Sequence, residues 1–374
     1  EPHEAMWLAW PHNKPHWINW LVNDKKGDDW KYEKVLDAFC ETIHVMQDSE
    51  KVRLLVNDAE MEKTARERLN KLKFRTDNLE FIQIKTNVPW CRDYGPTFVV
   101  KEANAKNLSP GKQSQKETAI IDWTFNLWGG KYDEGNDDDA VPANIGKLFN
   151  LPVFQANLVT EGGSLEVNGQ GTLLTTYQCQ IDENRNPGLK KEDFEKIFHD
   201  YLGVTKVLWL GENFNQNKAL NDDTDGHIDN LARFVNSNTI LCVREDDPKH
   251  PNYEFQQYNF EQMQSMTDQD DKPLKIVPLI TPDPVIYLDA MLPTSYANFY
   301  IGNKIVLMPT FRQKKDDQAK EILQHHFPTR KVIGVDSYDV IWGQGSWHCL
   351  SQQQPKMPDL NTSEASMSVN IWKI

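Results

Sequence analysis

The sequence predicts an α/β protein of one domain, in which five strand–helix–strand units close into a ring with their loops meeting at one end. Three observations carry this. A β–α–β–loop theme recurs five times in order, the polar residues of those loops fall at near-regular intervals, and no segment has the composition of an interdomain hinge. In the first unit Val52–Val56 is β-like, and Met61–Leu72 sets Met61, Ala65, Leu69 and Leu72 on one helical face. Leu79–Ile84 is β-like again, and the loop Trp90–Pro96 follows. The second unit runs through Thr118–Asp122, a short helix near Pro142–Phe149, a strand near Pro152–Ala156 and the loop Glu161-Gly-Gly163. The third comprises Thr172–Thr176, Lys191–Leu202, Lys206–Leu210 and the loop Asp222–Asp229. Its helix aligns Phe194, Ile197, Phe198 and Tyr201, and Gly203 is a natural helix stop. The fourth is Thr239–Val243, Glu254–Met266, Leu274–Val277 and Ser295-Tyr-Ala-Asn298; the fifth is Lys304–Met308, Asp316–Phe327, Lys331–Val335 and Gly343–Cys349. The opening strand Met6–Trp10 and the helix Glu33–Gln47 would complete the closure. Asp93 and Glu161 stand 68 residues apart, Glu161 and His227 66, and His227 and Cys349 122, about two units of 61. Residues so far apart in the chain would then meet where the loops converge. Val167-Asn-Gly-Gln-Gly-Thr172 reads as a hairpin, because Asn-Gly favours the tight turn, and the polar stretches Lys101–Glu117 and Tyr132–Asp139 read as surface loops.

Composition narrows the partners. The net charge of −14 over 374 residues disfavours nucleic acid and anionic membrane surfaces, both of which need basic patches, and mildly favours a small cationic substrate. No run of about 18 apolar residues exists to span a membrane. The five cysteines are dispersed, odd in number and without a C-x-x-C pair, as expected of free thiols in a reducing, cytoplasmic setting. Cys40 falls on the apolar helix face Val35-Leu36-Phe39-Cys40-Ile43, and Cys242 lies inside the apolar strand Ile240–Val243; both read as core. The chain opens at Glu1, which leaves a removed leader open although no signal-peptide pattern remains. A homo-oligomer is equally left open.

The chemistry concentrates in four loops: Gly343-Gln-Gly-Ser-Trp-His-Cys349, Trp90-Cys-Arg-Asp93, Glu161-Gly-Gly163 and Asp225-Gly-His-Ile-Asp229. A thiol, an imidazole and several carboxylates suit attack on a planar, positively charged carbon. The carboxylates would hold the cation while the thiolate adds to it. Carboxylates alone raise a thiol's pKa, so a cationic substrate or a charged histidine must do the activating. Cys349 is the candidate nucleophile, against the reading of an inert thiol; Gly343 and Gly345 would permit an unusual backbone before it. His227 is the candidate general acid and base, against a buried structural histidine. Asp229, two residues on, would face the same side of a strand as His227. Asp93 is a second ligand for the cation, unless it merely pairs with Arg92. Trp90 offers an aromatic wall for a cationic chain, or simple core packing. Glu161 would orient the histidine, with Glu166 as competitor. Two rival readings weaken on inspection. Asn221, Asp223, Asp225 and Gly226 match the first positions of a calcium-binding EF-hand loop, but Ala232 would stand where the bidentate glutamate is needed. A zinc or iron site on His227 and Asp229 lacks a second histidine at ligand spacing. No metal and no cofactor are therefore expected.

Several segments carry a family resemblance. Trp7-Leu-Ala-Trp-Pro11, Trp90-Cys-Arg-Asp-Tyr-Gly-Pro-Thr-Phe98, Asp122-Trp-Thr-Phe-Asn-Leu-Trp-Gly-Gly130, Glu161-Gly-Gly-Ser164, Gly169-Gln-Gly-Thr-Leu-Leu-Thr-Thr176, Gly226-His-Ile-Asp229 and His348-Cys349 with its Gln-Gln-Gln-Pro tail resemble the agmatine deiminases, over nearly the whole chain. The wider family includes bacterial peptidylarginine deiminases. The resemblance implies the pentein fold, a five-bladed α/β propeller of ββαβ-type repeats around a pseudo-fivefold axis. It also implies hydrolysis of agmatine to N-carbamoylputrescine and ammonia, a step of putrescine and polyamine metabolism. Cys349 would form a covalent amidino-cysteine, His227 would shuttle protons beside Glu161, Asp93 and Asp229 would grip the guanidinium, and Asp223 would lie near the substrate amine. The family's usual run before the nucleophile is Gly-Gly-Gly-Asn-Ile-His-Cys. Gln344, Ser346 and Trp347 depart from it here, which bears on the substrate more than on the reaction class. The alternatives are a deiminase of arginine in peptides, a catalytically silent polyamine-binding protein on the same scaffold, and a metal-dependent hydrolase. Free arginine would need a positioned Arg or Lys for its carboxylate, and none is evident.

Overall fold

The computed structural model describes residues 1–12, 29–102, 116–133, 135–214, 223–287 and 290–357. Strand β1 (His3–Ala9) is followed by helix α1 (Asp29–Met46), β2 (Lys51–Val56), α2 (Ala59–Lys71) and β3 (Leu79–Gln83). β1, β2 and β3 run parallel in that order. Parallel neighbours need a crossover, and α1 and α2 supply it. α1 turns Val35, Phe39 and Ile43 inward at every fourth position. α2 starts on Asp58, whose carboxylate accepts the Met61 N–H at 2.9 Å, and buries Ala65 and Leu69.

The next four sheets share one plan. β4 (Thr97–Glu102) pairs antiparallel with β5 (Lys116–Thr124), which runs parallel to β6 (Val153–Val159) across α3 (Val141–Phe149). β7 (Glu166–Val167) pairs antiparallel with β8 (Thr172–Thr176), parallel in turn to β9 (Lys206–Leu210) across α4 (Lys191–Leu202). β10 (Ala232–Asn236) and β11 (Thr239–Arg244) are antiparallel, and β12 (Lys275–Ile280) lies parallel to β11 across α5 (Tyr253–Met263). After a small hairpin of β13 (Ile286–Tyr287) and β14 (Ala290–Met291), β15 (Tyr300–Ile301) and β16 (Ile305–Thr310) are antiparallel, with β17 (Lys331–Asp336) parallel to β16 across α6 (Lys315–His326). The last strand, β18 (Ser351–Pro355), returns to pair antiparallel with β1, so both ends of the described chain share the first sheet.

The five strand–helix–strand units stand where the hydrophobic periodicity places them, and α4 ends on Gly203 in the left-handed region (φ 68°) as expected. The hairpin at 167–172 forms, with the Asn168 side chain accepting from the N–H groups of Gln170 and Thr172. Each sheet also has an antiparallel strand that directly follows a chemistry-bearing loop. β18 shows why such strands are hard to foresee. Its sequence is Ser-Gln-Gln-Gln-Pro, yet four of the five residues are buried. Gln352 accepts from Arg92 and donates to Pro96 O, and Gln354 accepts from Arg53 and, at 2.9 Å, from Trp7 Nε1. Every loop thus leaves the end of one parallel crossover and enters the next sheet, which places it between two sheets. Most of the polar stretch 101–117 lies outside the described residues.

Candidate active site

Five loops each deliver side chains to one buried cluster. Cys349 closes a tight turn that begins with Val340–Gly343. Gln344, not a glycine, takes the left-handed conformation there (φ 76°). Gly345 is required for a different reason: a Cβ on it would lie 2.8 Å from Trp90 Cζ3 and 3.1 Å from Cys349 Cβ. Trp347 is fully buried and meets Phe39 of α1 edge-on, with ring centroids 5.7 Å apart, which pins the turn to the core. The Arg92 backbone N–H donates to Cys349 O at 3.0 Å, and its guanidinium donates to His348 O at 3.3 Å. Trp90 packs against Gly345 of this turn and is 3 % exposed.

The Cys349 thiol donates to Asp229 Oδ2 at 3.4 Å. The same oxygen takes His348 Nδ1 at 2.7 Å. His227 sits between two carboxylates, its Nε2 3.3 Å from Glu161 Oε2 and its Nδ1 3.6 Å from Asp93 Oδ1. Asp93 is fixed by Trp128 Nε1 (2.9 Å) and by the N–H of Gly163 (3.2 Å). Gly163 must be glycine for this approach, because a Cβ there would stand 2.5 Å from His227 Nδ1. Glu161 is gripped by Arg185 Nε at 2.8 and 3.2 Å, and Arg185 continues to Asp225 at 2.7 Å. Among the site atoms buried without a hydrogen-bond partner are Asp229 Oδ1 and His227 Nδ1. Buried polar atoms left so are the ones a ligand would satisfy.

The electrostatics sort the groups into roles. Burial works against a charged His227, but Asp93, Cys179 and Glu161 together outweigh it and hold the imidazole well above its ordinary pKa. Burial likewise opposes a charged Glu161, yet Arg185 and His227 hold it down to about 2. Asp93 goes the other way: burial, with Asp229 and Glu161 adding to it, pushes its pKa up to about 7 against the pull of His227. Asp229 is raised too, chiefly by burial. Burial, then Asp229 and Asp93, push the Cys349 thiol well above its usual range, so without a cation the sulfur stays protonated. Burial together with Arg233, Arg92 and His227 depresses His348, which therefore donates to Asp229 as a neutral ring.

The structure brings Cys349, His227, Glu161, Asp93 and Asp229 together and revises several details. His227 and Asp229 are not on a strand; they flank the start of a 3₁₀ turn, Ile228–Asn230, and β10 begins only at Ala232. The chain must turn sharply here to present both side chains to one cluster. Glu166 does not compete for the histidine: it binds Arg233 Nε and the Phe234 N–H, each at 2.8 Å. Asp223 accepts from Tyr132 OH at 2.7 Å, close in sequence to the site but engaged with that neighbouring loop. Asn221, the first ligand of the calcium reading, lies outside the described residues, and Ala232 is a strand residue. Tyr296 is buried and points to Asp316 instead, whereas its neighbour Asn298 donates to Cys349 Sγ at 2.9 Å. Asn298, Arg185, Trp128 and His348 are the participants that motif reading did not assign. Among the described residues one group of donors, Glu161, Cys179 and His227, lies close enough to hold a metal, all within 4.8 Å. The Arg185 guanidinium already occupies that carboxylate, so the group carries its own cation.

A buried thiol beside an imidazole and paired carboxylates, on an α/β fold of repeated small sheets, defines a pentein-type hydrolase of guanidine groups. Residues 1–355 match the family described as Porphyromonas-type peptidyl-arginine deiminase, and the chain belongs to that family. It is similar to an agmatine deiminase of Medicago truncatula, 32 % identical over 95 % of this chain and 94 % of that protein. The solved agmatine deiminase of Enterococcus faecalis superposes with a TM-score of 0.81 at 30 % identity, covering 95 % of this chain and 94 % of that one. A cysteine-to-serine variant of C. jejuni agmatine deiminase with substrate bound gives a TM-score of 0.77 at 27 % identity, covering 96 % and 95 %. No helix among the described residues is long and apolar enough to cross a membrane.

Proposed function

We propose that the protein hydrolyses the guanidinium group of agmatine to N-carbamoylputrescine and ammonia through an amidino-cysteine on Cys349. The observation that carries this is Asp229 Oδ1, a buried acceptor without a hydrogen-bond partner, beside a thiol that already points at Asp229. A guanidinium held by Asp93 and Asp229 supplies the positive charge that lets Cys349 ionise, its proton leaving to solvent. The thiolate adds to the guanidinium carbon and the C–N π pair moves onto nitrogen. His227 gives its proton to the departing ammonia, leaving a thiouronium. It then takes a proton from water as the hydroxide adds, and the C–S bond breaks to return the thiolate while the new O–H gives up its proton to solvent, leaving the neutral ureido product. Glu161 keeps His227 oriented and stays anionic under the hold of Arg185, while Trp90 and Asp223 shape the path of the aliphatic chain and its amine.

The curated and solved relatives named as agmatine deiminases support this substrate. So does the engagement of nearby cations: Arg185 with Glu161 and Asp225, Arg233 with Glu166, and Lys131 with Asp225. Cations so engaged do not offer an α-carboxylate a partner, which favours a substrate ending in an amine. The five sheets of three or more strands and the return of β18 to β1 support one domain closed as a five-bladed ring, and five free, buried cysteines support a reducing cytoplasm. The acidic net charge supports a small cation as partner, without nucleic acid or membrane.

Mass spectrometry of protein quenched during turnover with agmatine is expected to show an adduct on the Cys349 peptide. Cys349→Ala is expected to abolish turnover while agmatine still binds; turnover near the wild-type rate would refute the covalent route. The family description favours a second reading, deimination of arginine in peptides. Citrulline release from an arginine peptide exceeding ammonia release from agmatine would replace the first reading with this one.

A further inference from the structure

Asn298 stands at the centre of a saturated hydrogen-bond network. Its Oδ1 takes Ser346 Oγ at 2.9 Å, the His348 N–H at 3.0 Å and the Cys349 N–H at 3.3 Å. Backbone N–H groups only donate, so the atom facing them must be the carbonyl oxygen, and the amide cannot be turned over. Its NH₂ is thereby forced towards Cys349 Sγ and Asn230 Oδ1, each at 2.9 Å. The sulfur is held on two sides: it donates its proton to Asp229 and accepts an N–H from Asn298. When the thiol ionises, the donor on the Asn298 side is already in place.

We propose that Asn298 is a catalytic residue of this reaction, whose amide N–H stabilises the Cys349 thiolate in addition to anchoring the turn that carries it. The inference rests on the covalent reading above. Charge around the sulfur otherwise opposes ionisation: Asp229 and Asp93 face it as carboxylates, and His348 beside it is neutral. The Arg92 guanidinium is directed at His348 O and at Gln352, with no hydrogen bond to the sulfur. The Asn298 amide favours the thiolate by direct side-chain contact, alongside the backbone N–H of Ser346. A fixed N–H donor aimed at the atom where charge develops needs no reorganisation as the reaction proceeds.

Two changes, Asn298→Asp and Asn298→Ala, separate the two roles when read together. An aspartate keeps an oxygen for the three loop donors but turns a second oxygen on the sulfur. Asn230 Nδ2, buried without a partner, can turn to meet that oxygen. Asn298→Ala removes the donor without burying a charge, and carries the same expectation should the aspartate variant fold poorly. The measurement is the rate of Cys349 alkylation by chloroacetamidine against pH, read by mass of the Cys349 peptide. Both variants are expected to lose about tenfold to a hundredfold in labelling rate at pH 7, the worth of one hydrogen bond to a charged acceptor, and to move the midpoint upward by about one pH unit or more. A purely structural Asn298 would leave the pH midpoint of labelling in the folded alanine variant at the wild-type value, since only the aspartate variant adds a charge beside the sulfur. That result, or a wild-type profile in both folded variants, overturns the proposal. Absence of Cys349 labelling in the wild type would instead overturn the covalent reading, and the Asn298 role with it.

Discussion

Asp93 and His227 face each other at 3.6 Å, and both have their pKa values raised. Burial foremost, then Asp229 and Glu161, leaves Asp93 ionising only near pH 7, while its carboxylate neighbours keep His227 protonated well above the ordinary histidine range. For the substrate-free enzyme this dictates the shape of the rate profile. Asp93 must lose its proton to grip a cation, so kcat/KM is expected to rise as pH passes through about 7. His227 must keep its proton for the departing ammonia, so the basic limb belongs at a pH well above the usual histidine value. Trp128 Nε1 stabilises the Asp93 carboxylate, and Trp128→Phe removes that donor. The acid limb of the variant is expected to move upward by up to about one pH unit. A pH–rate series on both proteins tests this, and equal kcat/KM at pH 5 and pH 8 would contradict the assignment of Asp93.

Elements hold this cluster through ties that do no chemistry. Arg233 on β10 donates to Glu166 of β7 at 2.8 Å, and also to Phe299 O at 2.7 Å and Ala297 O at 3.2 Å on either side of Asn298. Arg233→Ala would strand Glu166 as an unpaired buried carboxylate and release the Asn298 loop. A loss of about 3–5 kcal/mol in unfolding free energy by urea titration is expected. Glu166→Gln should cost stability and leave the pH midpoints of activity in place, whereas Glu161→Gln should cut turnover; the reverse pattern would restore Glu166 as the partner of the histidine. The comparison of Glu161 with Glu166 shows where sequence reading is strong. Apolar runs such as Val52–Val56 and the Phe194, Phe198 helix face announce buried strands and helices, and glycine beside an acid marks a loop. The method fails where polar groups are buried with partners distant in the chain. β18 carries no apolar alternation, because its buried Gln354 and Gln352 oxygens accept from Arg53 and Arg92. Asn298 has no motif, since its role depends on an N–H supplied 51 residues away. Arg185 has none either: nothing local says that it will meet a glutamate 24 residues upstream. The His227-to-Asp229 spacing admits both a strand and a tight turn, and only the convergence of the neighbouring loops selects the turn.

At the scale of the molecule, pairing of β18 with β1 joins both ends of the described chain, so the loops of the site are fastened by contacts that global unfolding must break. Titration of the site therefore appears in the stability of the whole protein. Glu161, held at about 2 instead of 4.5, contributes stability above pH 4.5 that is lost as pH falls towards 2. Its nominal worth is roughly 3 kcal/mol. Asp93 has the opposite sign. Its folded pKa of about 7 lies above its ordinary value of 3.8, so its contribution is complete below 3.8 and disappears as pH rises through about 7. His227 is also raised, and it too loses its contribution on the alkaline side. The empty enzyme is thus expected to be most stable in mildly acid solution and to weaken towards pH 8, where Asp93 and Asp229 repel across an unfilled site. A guanidinium cation relieves that repulsion. Agmatine should therefore raise the melting temperature of Cys349→Ala, which does not consume it, more at pH 8 than at pH 6 at equal saturation. In Asp93→Asn the decline towards pH 8 should flatten and the agmatine effect should shrink. Melting curves across pH 5 to 8 decide the matter. Equal stability of the empty protein throughout that range, in both the parent and the asparagine variant, would mean that the two carboxylates are not the strained pair a cation is needed to satisfy.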